Sequence, residues 1–223
     1  MRLTSKGQAT RQRIVRTAAG LIAERGVAGT SIESVRTAAG VSGSQMTHYF
    51  QDKRSLVRAV VALQADAMVR STELDSFEGL RRWADAHVRR QRELGCTGGC
   101  RLGSLAGELA KSDPQTRQEL ATGFERWEVA LRDGLQAMAD RGELRSDADP
   151  ARLATCLLGA LQGGMLLTET HRDPRPLEAT LDAMLSHVES YAADQHAVRR
   201  TSGSSDSERG GADAVRRLSD REG

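Results

Sequence analysis

Apolar residues along this chain recur every third or fourth position and almost nowhere every second, a periodicity that restricts it to helices. "RQRIVRTAAGLIAERG" puts Ile14, Ala18, Leu21 and Ile22 on one stripe and stops at Gly26, where a glycine C-cap belongs. "TSIE" at 30 to 33 reads as a capping box, with Thr30 accepting from the N–H three residues on and Glu33 reaching back. It opens a short second helix that carries Ile32 and Val35 inward and ends near Ala39. Gly40 supplies a sharp turn, Ser42 and Gln45 form a second capping box, and a third helix runs to about Phe50 with Met46 and Phe50 as its buried pair. Asp52 caps a fourth helix with Leu56, Val60, Leu63 and Ala67 on one face.

The pattern continues after residue 70. Phe77, Leu80, Ala84 and Val88 mark a helix to about Leu94, and "LGSLAGELA" at 102 to 110 is a short, small-residue segment. The pairs Asp113-Pro114, Asp149-Pro150 and Asp173-Pro174 then announce three helices, because aspartate caps and proline suits the first helical position. Their inward stripes are Leu120, Phe124, Trp127, Leu131, Leu135 and Met138; Leu153, Leu157, Leu161, Met165 and Leu166; and Leu177, Leu181, Met184, Leu185 and Val188. With no hairpin or alternating signal, the expected class is all-α.

At 223 residues, 39% hydrophobic and 28% charged, the chain suits one large or two small domains with a real core. The N-terminus lacks an apolar signal region, and no later run reads as a bilayer span, so a cytoplasmic protein without a membrane role is expected. Cys96, Cys100 and Cys156 form an odd set without a second pair to complete a zinc site; reduced thiols, no metal and no cofactor are expected.

The net charge of +2 hides an asymmetry. Residues 1 to 70 carry eleven bases against four acids, a local charge of +7, leaving −5 on the rest. A polyanion partner for the first third would explain it, although a solvated charged face gives the same count. The third helix sharpens the choice. If Met46 and Phe50 face the core, then Gly43, Ser44, Gln45, Thr47, His48 and Tyr49 face a partner or solvent. Small residues for close approach, an amide for base edges and hydroxyl or ring donors for phosphates suit a helix in a major groove. The starts of helices two, three and four can receive phosphate oxygens, and Lys53 is placed to join them. A capped surface helix with chance polar residues would show the same spacing.

Residues 10 to 60, with an apolar helix, "GVAGTSI", "AGVS", an aromatic tail ending in "HYF" and then Lys53 and Leu56, resemble the DNA-binding region of TetR/AcrR-family transcriptional regulators. The resemblance implies an N-terminal three-helix helix-turn-helix DNA-binding domain followed by a helical-bundle ligand-binding and dimerisation domain. It implies base or backbone approach by Gly43, Ser44 and Gln45, and phosphate contacts by Ser31, Ser42, Thr47, His48, Tyr49 and Lys53. The chain departs from the family at Thr47, where tyrosine is common, and at Gly43, where lysine is frequent; both changes shorten a DNA-reaching arm.

"GCRLGSLAGELA", "FERWEVAL", "RGELRSDADP" and "ALQGGMLLTETHRDPRPL" are similar to the C-terminal domain of the LmrA/YxaF-like subgroup, implying a pocket in the bundle and a homodimer made by the last two helices. The residues agree on the dimer: Gly159, Gly163 and Gly164 among leucines permit close helix approach, and Leu157, Leu161, Gly164, Leu181 and Leu185 are the candidate interface. The same run would also make an ordinary core helix. Trp83, His87, Phe124, Trp127 and Met165 offer aromatic and polarisable groups for a ligand, or simply core.

The expected division is 1–55 for the DNA-binding domain, 56–197 for the helical ligand-binding and dimerisation domain, and 198–223 for a disordered tail whose arginines could touch DNA. "LGSLAG" is not a nucleophile elbow, and no Walker lysine loop, zinc-protease or dinucleotide glycine motif occurs, so a helical enzyme is a remote alternative. The expected function is a dimeric repressor on near-palindromic double-stranded DNA, released by a small apolar or aromatic effector. The nearer alternative is a dimeric DNA-binding regulator that senses no small molecule.

Overall fold

The computed structural model describes residues 4–68, 73–111 and 114–193, with the side chains of 66–68 not described. Nine helices make up this part: α1 (Ser5–Arg25), α2 (Ile32–Ala39), α3 (Gly43–Tyr49), α4 (Lys53–Met68), α5 (Phe77–Glu93), α6 (Arg101–Leu109), α7 (Pro114–Asp140), α8 (Pro150–His171) and α9 (Arg175–Glu189). Among the described residues the only extended pairing is one antiparallel bridge, Leu144 to Ala192. The expectations for Ala67, Asp113 and the tail lie outside the described residues.

The first three helices and the start of α4 form the head. Ile14, Val15, Ala18 and Ile22 of α1 pack with Val35 of α2, Met46 of α3 and Leu56 and Val60 of α4. The turn after α2 is built as Gly40 suggests: the residue is left-handed at φ 61° and ψ 44°. Two arginines fix that turn from outside, Arg13 Nε donating to Ala39 O at 3.1 Å and Arg36 Nη1 to Val41 O at 3.3 Å.

The start of α2 corrects the expected capping box. Ser31, not Thr30, is the N-cap: its Oγ accepts from Ser34 N at 3.0 Å while Ser34 Oγ accepts from Ser31 N at 3.1 Å. Thr30 is turned inward, 3% exposed, and donates its hydroxyl to Gly26 O. Glu33 instead accepts from Arg36 Nε at 2.8 Å, one turn along the exposed face.

α4 has a wider buried face than its stripe suggested. Leu56, Val57, Val60, Val61 and Ala65 are all buried and Leu63 only half so, because α4 packs on α1 on one side and on α6 and α7 on the other. It therefore joins head to body.

In the body, α7 lies against α4, α6 and α8, and α8 pairs along its length with α9. Asp149 Oδ1 accepts from Ala151 N and Arg152 N, and Asp173 Oδ1 from Arg175 N at 3.0 Å, so both aspartates act as helix-start acceptors. α8 has the length and mean hydropathy, 1.2 over its best window, to cross a membrane; its apolar stripe is instead core, with Leu153, Leu157 and Leu161 buried under neighbouring helices.

Leu157, Leu161, Leu181 and Leu185 are 0–5% exposed within one subunit. A Cβ at Gly164 would meet Thr180 Oγ1 and Leu177 of α9, so that glycine permits close approach inside the chain. These five candidate interface residues are covered by their own chain, in which α8 lies against α9. Leu166, expected inward, is 64% exposed, and Leu167 is 44% exposed.

The cap correction can be checked by denaturant unfolding. Ser31→Ala should cost roughly 1 kcal/mol, whereas Glu33→Ala, which removes only an exposed ion pair, should leave the unfolding midpoint nearly unchanged.

Candidate nucleic-acid interface

The site is built on α3, whose seven residues cannot hold a helix alone. Three constraints hold it. Ser42 Oγ accepts from Gln45 N at 3.2 Å, and Gln45 Oε1 accepts from Ser42 N at 3.0 Å, closing the capping box read from the sequence. Met46 and Phe50, 2% and 3% exposed, plug one face into the head core. The Arg11 guanidinium lies 5.3 Å over the Phe50 ring, covering its outer side.

With that face buried, Ser42, Gly43, Ser44, Gln45, Thr47 and His48 are exposed and Tyr49 is half-buried. Ser31 is exposed at the start of α2, and Lys53 is half-buried at the start of α4. All nine residues expected to meet a partner therefore lie on the surface of the head, six of them on α3.

Local bonds limit what each can offer. Thr47 Oγ1 donates to Gly43 O at 3.1 Å, so its hydroxyl is partly satisfied by its own helix. Ser42 Oγ also lies 3.0 Å from Ser44 Oγ. Gln45 has its carbonyl oxygen committed to the cap, leaving its amide N–H groups as donors. The His48 and Tyr49 rings meet edge to face at 4.9 Å, each restraining the other. No side chain fills the space a Cβ would occupy at Gly43, so a flat partner can come close there.

The following turn is anchored by Asp52, whose Oδ1 accepts from Ser55 N at 2.7 Å; that backbone hydrogen bond first, and the Ser55 hydroxyl next, hold the Asp52 carboxyl below its usual range. Arg54 is exposed beside Lys53. Two roles were missed in the sequence: Arg13 and Arg36 count toward the basic surplus, yet their guanidiniums brace the α2–α3 turn. Only their carbonyl partners, Ala39 O for Arg13 and Val41 O for Arg36, reveal this.

In the body, Trp83, Trp127 and Met165 are buried and His87 and Phe124 half-buried. His87 meets Trp83 edge to face at 5.1 Å and Trp127 at 5.8 Å, so three of the five candidate ligand residues form one ring cluster between α5 and α7. Two cavities have other walls. One of about 760 Å³ lies between α5 and α9, crossed by the ion pairs Arg92–Glu178 and Arg81–Glu189. Another, about 580 Å³, lies between head and body.

A short helix with its apolar side locked inward and its polar side presented after a tight glycine turn defines a helix-turn-helix DNA-binding protein. Residues 14–60 match the family described as bacterial regulatory proteins, tetR family, and 76–184 match the Tetracyclin repressor-like C-terminal domain. The chain is 25% identical over 190 residues to the HTH-type transcriptional repressor DhaR of Mycobacterium sp. (strain GP1), covering 82% of this chain and 96% of the relative. A TetR transcriptional regulator from Chloroflexus aurantiacus J-10-FL shares the fold at a TM-score of 0.71 and 24% identity, covering 85% of this chain and 98% of that one. A regulator from Cytophaga hutchinsonii does so at 0.76 and 17%, covering 87% and 100%. The chain belongs to the TetR family of DNA-binding transcriptional regulators, which are not enzymes.

Burial among the tryptophans lowers the His87 imidazole to about 4, so it is neutral at pH 7. The unfolded chain, with His87 near its ordinary value of 6.5, takes up a proton as pH falls through 6.5; the folded state does not until about 4. Stability should therefore fall as pH drops across this window, by about 2 kcal/mol between pH 7 and 5. His87→Phe should flatten that part of the urea-midpoint profile.

Proposed function

We propose that this protein is a homodimeric repressor that binds a near-palindromic operator and is released by a small apolar or aromatic effector. The observation that carries the DNA-binding half is the burial of Met46 and Phe50, which leaves Gly43, Ser44, Gln45, Thr47, His48 and Tyr49 as the outward surface of α3. Gly43, Ser44 and Gln45 approach the bases, while Ser31, Ser42, Thr47, His48, Tyr49 and Lys53 hold phosphates. Because the Gln45 oxygen is engaged in the cap, its amide reads as a donor, favouring acceptor edges such as guanine N7 and O6 or thymine O4 over the two-bond adenine contact.

Two copies would place their α3 helices in successive major grooves, about 34–36 Å apart. The contact between copies forms on the outward face of α8, where Leu166 and Leu167 are exposed and the spaces beside Gly159 and Gly163 are open. Repression is supported by the likeness to the DhaR relative, a transcriptional repressor. The effector sits against the Trp83, His87 and Trp127 cluster with Phe124 and Met165 nearby, and an affinity difference of roughly 1–3 kcal/mol between head arrangements would release DNA about 5- to 150-fold.

The working division is 1–55 for DNA binding, 56–197 for the ligand and dimer functions, and 198–223 as a tail. The C-terminal stretches support the LmrA/YxaF-like subgroup, and the protein acts in the cytoplasm, where its DNA is.

Lys53→Ala should weaken binding to all sequences alike and reduce the slope of log affinity against log salt by about 1. Gln45→Ala should relax base preference instead. An unchanged slope in the first variant removes Lys53 from the phosphate set.

A further inference from the structure

The first acidic residue in the chain is Glu24, and before it stand the bases Arg2, Lys6, Arg11, Arg13 and Arg16. Arg2 lies outside the described residues. Arg13 is engaged by Ala39 O, but Lys6, Arg11 and Arg16 are exposed and have no carboxylate partner among the described residues. The body is built differently: its exposed Arg81, Arg82, Arg92 and Arg141 each hold a glutamate or aspartate. Uncompensated cations thus line the longest acid-free stretch of the chain, where a polyanion fits.

The opening of α1 also has no core to lie on. None of residues 4–13 is buried, and the first inward side chains are Ile14 and Val15. Thr4 caps this stretch, its Oγ1 accepting from Gly7 N at 3.2 Å, and Arg11 and Arg13 tie it to the head. Its direction follows from the packing of α1 and α4. Arg11 lies over Phe50, at the turn into α4, whereas Ala19, Ile22 and Gly26 share a cavity wall with Val60 and Gln64. Beyond them Val27 N is bonded to Glu108 of the body. The two helices rise together toward the body, so residues 4–10 run the other way, past the α3–α4 turn by about 10 Å.

We propose that the opening of α1 is a second DNA-contacting element, in which Lys6 and Arg11 hold phosphates of the backbone bordering the groove that α3 enters. This rests on the DNA-binding reading above and adds residues of a different helix to its contact set. A major groove is about 12 Å wide, so a helix end standing about 10 Å beyond the turn reaches its wall. Phosphate contacts position a protein without reading sequence. The element therefore adds affinity and holds α3 in its groove while leaving base preference unaltered.

The test measures log affinity against log salt for the full chain, on a promoter duplex from beside its gene and on a shuffled duplex of the same length. Lys6→Ala should lower the slope by about 1 on both, and its combination with Arg11→Met, which keeps an apolar chain over Phe50, by about 2. The ratio of the two affinities should not change. Lys6→Gln serves if the urea midpoint shows that the alanine variant is not folded. Arg25→Ala removes an exposed cation from the body end of the same helix and should leave the slope as it was. A slope unchanged in a folded Lys6 variant, or lowered equally by Arg25→Ala, would overturn the proposal; the α3 reading then stands or falls on Lys53→Ala alone. Absence of salt-dependent binding by the unaltered chain would overturn both.

Discussion

The burial of Met46 and Phe50 is the interaction on which the rest depends. Each large apolar side chain removed from water contributes about 1.5–3 kcal/mol, while a seven-residue helix has almost no stability of its own. Without these two plugs α3 would fray, and the polar residues between them would have no common direction. The double cap at Ser42 and Gln45 sets where the helix begins, and Gly40, in the left-handed region, sets the angle at which it leaves α2.

The body serves that head through close packing at glycines. A Cβ at Gly134 would meet Leu74 O at 2.4 Å, and one at Gly123 would meet Ala65 and Leu102 at 3.0 Å. Gly123 thus lets long helix α7 lie tightly against α4 and α6, the elements that carry the head, and Gly134 lets it lie against the segment that leads into α5. The Glu108 carboxylate adds a directional bond to Val27 N. Body and head are joined by a short physical route: α6 and α4 each touch both parts.

Much of this was legible in the sequence because it is local. The stripe at Ile14, Ala18 and Ile22, the stop at Gly26, the Ser42–Gln45 box and the Asp149 cap all depend on residues within a turn or two of each other. The helix-turn-helix motif is a chain of such signals, which is why its outward residues could be named. Thr30 was misread because Thr30 and Ser31 both suit an N-cap; the choice turns on which hydroxyl has its own inward acceptor, here Gly26 O. Periodicity marks Leu157, Leu161 and Leu185 as a buried stripe without saying whose atoms bury it, and within the chain α8 and α9 already cover much of it. The cavity between head and body left no trace in sequence, since Ala19, Gln64 and Leu105 meet only through the packing of three helices.

Hydroxyl-radical footprinting on the promoter region beside this gene, with subunit stoichiometry measured on the protected fragment by sedimentation, addresses the central claim most directly. Two subunits per site and two matched protected patches centred about 34–36 Å apart are the expected result. A single subunit protecting one isolated patch, or no protection at low salt, would contradict it.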